Sequence, residues 1–214
     1  MRKVFLTLAI IAFTAFAGSS IPVPEGYIPG GGSTDADYLQ YDDGSAFWLT
    51  WAGMYRGVWF NTEDFIPNQV GFNLDFSEYW FYHHSDRPWD TSDFYAEIWN
   101  GDYMTPVTQL DAQTVTALHY VPVFANYATP IEAESNFWAL INTEMSAGGW
   151  PSVLADNTSP AVDHSYWSDD FYVWEPWTMP TGTGDFLIRV EGEFVPDTSS
   201  TLDNVTWGGI KAIF

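Results

Sequence analysis

Cysteine is absent from the 214-residue sequence. That excludes disulfide scaffolds, Cys-ligated zinc, iron–sulfur clusters and thiol nucleophiles. Positive charge is almost absent too: 6 Lys and Arg stand against 28 Asp and Glu, a formal charge of −22. Two of those cations, Arg2 and Lys3, open an apolar leader whose removal takes the charge to −24. Arg56, Arg87, Arg189 and Lys211 are then the fixed cations. Scattered singly, they cannot supply the clustered contacts that nucleic-acid phosphates require. Anionic membrane surfaces are disfavoured for the same reason. Divalent cations, neutral sugars and basic partners stay open. Helical periodicity is lacking as well, since no stretch of a dozen residues repeats its apolar positions every 3.6 residues.

What remains is apolar and strongly aromatic. Only 16% of residues are charged, against 46% hydrophobic and 19% aromatic, which is the opposite of a disordered composition. With 12 Trp, 12 Tyr and 16 Phe the chain has ample surface to bury in one domain.

Residues 1–17 read as a secretory signal peptide. Arg2-Lys3 is the basic start, Val4 to Phe16 is apolar except at Thr7 and Thr14, and Ala15-Phe16-Ala17 is a small-x-small cleavage pattern. The apolar run falls short of the roughly 20 residues of a membrane helix. An uncleaved anchor is the alternative reading. An exported chain without disulfides points to a bacterial protein, secreted or held at the cell surface. After leader removal no integral membrane span is expected. Residues 18–36, with Pro22, Pro24, Pro29 and Gly30-Gly31-Gly32, read as an entry segment outside the core. Residues 37–195 form the expected compact domain, and 196–214 a linker and short tail in which Leu202 to Phe214 reads as one further strand.

Within the domain, short aromatic and β-branched segments are divided by Gly, Pro, Asn and Asp. They are Phe47–Trp51, Gly57–Phe60, Val70–Phe76, Phe94–Trp99, Thr114–Val123, Phe137–Ile141, Phe171–Trp174 and Asp185–Phe194. Val70–Phe76 alternates strictly, which puts one face inward and the other outward. Ile131 to Asn136 is the one stretch suited to a single helical turn. The expected fold is all-β, an antiparallel β-sandwich of jelly-roll type. The terminal Phe214 raises a small outer-membrane barrel as an alternative. Such barrels need strands of about 9–11 residues, whereas prolines from Pro67 to Pro180 cut most of these segments shorter.

The order of several motifs resembles a known accessory domain. Tyr41-Asp42-Asp43-Gly44 opens it, followed by Val70-Gly71-Phe72, Ala96-Glu97-Ile98-Trp99 and Asn136-Phe137-Trp138-Ala139-Leu140. Then come Gly149-Trp150-Pro151, Asp163-His164-Ser165-Tyr166 and Gly184-Asp185-Phe186-Leu187-Ile188-Arg189-Val190. Over residues 38–194 this is similar to the jelly-roll-like β-sandwich of large exported bacterial proteins, where it often precedes a C-terminal sorting domain. The resemblance implies fold and export, and it carries no activity.

The candidate chemistry is modest. His83-His84 are neighbours that a strand would point to opposite faces, and His119 and His164 are isolated, so no zinc set converges. Calcium takes six to eight oxygens from loop carboxylates. Asp42, Asp43 and Asp185 are the candidate ligands, brought together if the first and last strands are neighbours. Turn chemistry explains the same residues without an ion. Flat indole faces stack on sugars, and Trp89, Trp150, Trp167 and Trp177 fall in turn-rich segments where a ring would be exposed. These features describe a secreted, non-catalytic binding or structural module whose partners are carbohydrate or other cell-surface proteins. A hydrolase using paired carboxylates is the alternative from another class. No Gly-x-Ser-x-Gly elbow or other mechanistic motif supports it.

Overall fold

A computed structural model describes residues 20–27, 37–158, 162–179 and 182–198. The signal-peptide segment and the proposed final strand over Leu202 to Phe214 lie outside the described residues. The fold is all-β: among the described residues there is no α-helix, only a 3-10 turn at Thr62–Asp64. In chain order the first strands are β1 (Ser20–Tyr27), β2 (Asp37–Leu39), β3 (Ser45–Thr50), β4 (Tyr55–Asn61) and β5 (Gln69–Tyr79). Next come β6 (Asp93–Asp102), β7 (Thr105–Thr116), β8 (Val123–Glu134), β9 (Asn136–Asn142) and β10 (Val153–Ala155). The last are β11 (Ser165–Ser168), β12 (Glu175–Pro176), β13 (Thr178–Met179), β14 (Gly182–Thr183) and β15 (Ile188–Pro196).

One layer is a six-stranded sheet in the order β12-β11-β4-β9-β6-β7. The other comprises the four-stranded sheet β2-β15-β5-β8 and the three-stranded sheet β1-β3-β10. Backbone bonds from Trp80 N–H to the Leu187 carbonyl, Leu187 N–H to Leu154 and Leu154 N–H to Trp80 join these two. All pairings between the strands of these three sheets are antiparallel, and among the described residues no sheet closes into a barrel.

Alternation explains the layering. Val58 and Phe60 of β4, Phe94, Ala96 and Ile98 of β6, and Phe137, Ala139 and Ile141 of β9 face inward. There they meet Phe72 and Leu74 of β5 and Ile188 and Val190 of β15. The intervening positions form the sheet's outer face. Register sets Trp59 opposite Trp138 and Trp138 opposite Trp99 across three adjacent strands. A second aromatic cluster therefore covers that face, capped by Trp174 and Phe171 from the segment after β11.

Four sequence expectations are revised. Ser20–Tyr27 is not outside the fold: it pairs with β3, and Val23 is buried in a small cluster with Ala46 and Leu49. Its prolines are tolerated because β1 is the edge strand of its sheet. Ile131 to Glu134 continues β8 as a strand instead of forming a helical turn. Thr114–Val123 is not one strand. β7 ends at Thr116; the Ala117 N–H still bonds Ser92, and the chain then leaves β6, with the Tyr120 N–H bonded to Phe81 beside an isolated bridge between Phe81 and His119. Phe171–Trp174 is a loop, because the Asp170 carboxylate accepts the N–H groups of Tyr172 and Val173 at 2.9 and 3.1 Å and so competes with sheet pairing.

A candidate binding cleft at one end of the sandwich

The turn after β3, the Ser146–Gly149 loop after β9 and the end of β11 meet at one end of the six-stranded sheet. Between them lies an open cleft of about 330 Å³, walled by Trp51 and Trp167, with Asp169 at its edge and Gly53, Gly148 and Gly149 along it. Two glycines make it possible. Gly53 has φ +72°, and a Cβ there would lie 2.8 Å from both the Trp167 ring and the Ser168 carbonyl. Gly149 has φ +77°, and a Cβ there would lie 2.7 Å from the Trp51 carbonyl. Both are conformations that an L side chain resists.

The loop is fastened from two sides. Ser146 Oγ donates to Asp90 at 2.7 Å and accepts the N–H groups of Gly148 and Trp150. The other Asp90 oxygen accepts the Ala147 N–H at 2.8 Å. Burial alone would raise the Asp90 pKa, but the bonds from Ser146 and the backbone outweigh it and hold the group below the usual range. From the inner face, the buried Arg56 guanidinium donates to the Gly149 and Pro151 carbonyls at 2.8 and 3.1 Å. Burial lowers its pKa to about 9, so it stays a cation at neutral pH. The Trp150-Pro151 peptide bond is cis, and the Trp150 ring stands 5.2 Å from that of Trp51.

The four turn tryptophans therefore divide. Trp167 walls the cleft and Trp150 abuts its other wall. Trp89 is elsewhere, pinned by its Nε1 to Ser152 Oγ at 3.0 Å and packed 4.8 Å from His83. Trp177 is 1% exposed and packs on Phe186 in the core, so it offers no face to a ligand. That corrects its reading as an exposed turn residue: the N–H of Trp177 bonds the Ser165 carbonyl of β11, which carries the ring inward. Sequence reasoning missed Trp51, which was read only as the end of a strand. The signal was the Gly53 that follows it, together with Gly148-Gly149 before Trp150.

The acidic candidates lie at the junction of the first turn and the last strand. Asp42 is buried and gives both oxygens to Arg189, at 2.6 and 2.9 Å. Asp43 is exposed, and its carboxylate accepts the Ser45 N–H. Asp185 is buried and accepts Ser165 Oγ at 3.0 Å. Asp156, not singled out from sequence, connects them by accepting the N–H groups of Asp43 and Asp185. Arg189 thus already supplies to Asp42 the positive charge that an ion would bring. Among the described residues no group of three or more His, Asp or Glu is disposed to hold a metal ion. His83 and His119 do meet, through the His83 N–H to His119 Nδ1, while His164 is buried and stacked on Tyr41 at 3.5 Å.

No family model, curated protein or solved structure matches this chain. Among the described residues no helix is long and apolar enough to cross a membrane.

Proposed function

We propose that the protein is an exported, non-catalytic binding module that takes a saccharide in the cleft between Trp51 and Trp167. The observation that carries this reading is the pair of indole side chains flanking an open cleft at a loop end of a rigid sandwich. Sugar rings present C–H faces that pack on indole, and their hydroxyls require acceptors at the edge. Asp169 provides a carboxylate there. Anchoring of the Ser146–Gly149 loop by Ser146, Asp90 and Arg56 sets Trp150 against the Trp51 wall before ligand arrives, which lowers the ordering cost of binding.

A hydrolase reading would draw on Glu97, whose pKa burial raises and which interacts electrostatically with Glu144. Both Glu97 oxygens, however, accept N–H donors: Asn142 Nδ2 at 2.8 Å and Trp99 Nε1 at 2.7 Å. Both oxygens are thus taken up by donors within the protein, whereas a general acid must present its proton to the substrate. That arrangement supports the non-catalytic reading.

Retention on a panel of insoluble polysaccharides and a glycan array tests the proposal. The native protein is expected to be retained on at least one glycan, and Trp167→Ala to lose about tenfold or more in affinity, as removal of a stacking platform does. A folded native protein retained on no glycan would overturn it.

A further inference from the structure

A second cleft, of about 420 Å³, opens on the outer face of the six-stranded sheet. It adjoins the first in sequence at two places, Met54–Tyr55 and Asp169–Asp170. Its walls are aromatic. The rings of Trp99 and Phe171 stand 4.6 Å apart, and Tyr55 meets Phe171 edge-on at 5.0 Å. Tyr172 at its lip is 89% exposed. Register builds the floor: Tyr55 of β4 lies opposite Asn142 of β9, and Glu97 of β6 opposite the neighbouring Leu140.

The charged groups of this cleft are of one sign. Glu97, Glu144 and Asp170 all line it. Glu97 is 5% exposed and is held by Asn142 and Trp99. Glu144 Oε1 accepts the Tyr55 hydroxyl, and Asp170 Oδ1 accepts the N–H groups of Tyr172 and Val173. The second oxygen of Glu144 and of Asp170 receives no donor from the described residues. Among the described residues none of the three carboxylates is in an ion pair. Arg56 is bound to backbone carbonyls, Arg87 lies over the Trp51 ring at 5.4 Å, and Arg189 is paired with Asp42.

A neutral sugar in this cleft would leave three carboxylates uncompensated, and a uronic acid or sulfated sugar would add to their repulsion. A protonated amine answers both features of the site. It neutralises the carboxylates, and the aromatic faces around it attract a cation. We propose that this cleft binds the ammonium group of a saccharide with free amines, a polymer of hexosamine units that lack N-acetyl groups. The inference rests on the saccharide reading of the first cleft and names the chemical class of a unit bound beside it.

Calorimetry on the full chain with three oligomers tests it: a glucosamine hexamer, its N-acetylated counterpart and a galacturonate hexamer, at a pH where the amine is protonated. The glucosamine oligomer is expected to bind about tenfold tighter than the acetylated one, weakening as salt rises, and the galacturonate oligomer not to bind. Glu144→Gln keeps an acceptor for Tyr55 and should abolish most of the preference for the amine. Glu132→Gln on β8, an equal change of charge on the opposite layer, should leave it intact, which separates the cleft from the general acidity of the protein. Equal affinity for amine and acetylated forms, with both weakened by Trp167→Ala, overturns this inference and leaves the saccharide reading standing. The same holds for a preference that Glu144→Gln does not change. A folded protein that binds none of the oligomers and no other glycan overturns both. Poly-lysine binding as tightly as the glucosamine oligomer, and equally sensitive to Glu144→Gln, overturns the assignment to a saccharide.

Discussion

Asp42 and Arg189, 147 residues apart, form a buried two-pronged ion pair, with side chains 0% exposed and contacts of 2.6 and 2.9 Å. The pair ties the turn before β3 to β15, one of the two inner strands of its sheet. Glu78 of β5 contacts Arg189 at 3.4 Å and accepts the Tyr38 hydroxyl of β2 at 2.7 Å. Three strands of the four-stranded sheet thus converge on one guanidinium.

Removing one partner of such a pair leaves the other charged and dry. Asp42→Ala is expected to destabilise the protein by about 3–5 kcal/mol, and the double variant Asp42→Leu with Arg189→Met by much less. Urea unfolding of the two variants checks this. A single variant no worse than the double one would contradict it.

Asp185 makes stability depend on pH. Burial first, then the neighbouring Asp156 and Asp42, raise its pKa to about 7. In the unfolded chain an aspartate titrates near 3.9. Between those values the folded protein holds a proton that the unfolded chain has released, so stability falls as pH rises. The contribution is full below about pH 4 and gone above about pH 7. Asp156 and Glu97, also raised by burial, act in the same direction. His164, lowered by burial, and Asp90, held low by its hydrogen bonds, act in the opposite one. Asp185→Asn keeps an oxygen for Ser165 and isolates the effect. Its stability relative to the native protein should improve steadily from pH 4 to pH 7 and then level off. Parallel pH profiles would show that Asp185 does not carry the linkage.

Trp167 and Trp177 separate binding from packing. Trp177 is buried, and among the described residues its Nε1 has no hydrogen-bond partner. Trp177→Ala should cost about 3–5 kcal/mol as a core cavity. Trp177→Phe should cost less, because it also removes an unsatisfied N–H, and glycan retention should survive it. Trp167→Ala should lose retention while costing less in stability, since its ring is only half-buried. Thermal melts read beside retention assays distinguish the two patterns.

The fold class was legible because alternation survives wherever one face is buried, as in Val70–Phe76 and Phe94–Trp99. The long edge strand β7 was mostly missed because its Thr and Gln residues face solvent and carry no apolar rhythm. Of the four turn tryptophans, Trp167 lines the first cleft, Trp89 lines a separate one, and Trp177 is buried. The difference between Trp167 and Trp177 lies in which backbone each strand or loop pairs with, and pairing is a long-range property. The outer-face cleft was illegible for the same reason. Tyr55, Glu97, Asn142 and Asp170 come from four separate segments, and only the register of β4, β9 and β6 together with the loop after β11 assembles them.

Gly53 links chain conformation to ligand most directly. It contributes no side chain, yet its bare α-carbon lets the β3–β4 turn lie against the Trp167 ring and the Ser168 carbonyl, each 2.8 Å from where a Cβ would sit. Gly53→Ala must therefore push back Trp167 or the β11 backbone, besides holding an L residue at φ +72°. The conformational strain alone is worth about 1–2 kcal/mol. The variant is expected to melt lower and to lose saccharide affinity by about tenfold, with the Trp167 indole signal shifted in its NMR spectrum. An alanine that lowers the melting temperature while leaving both affinity and the Trp167 signal unchanged would show that the ligand does not use this wall of the cleft.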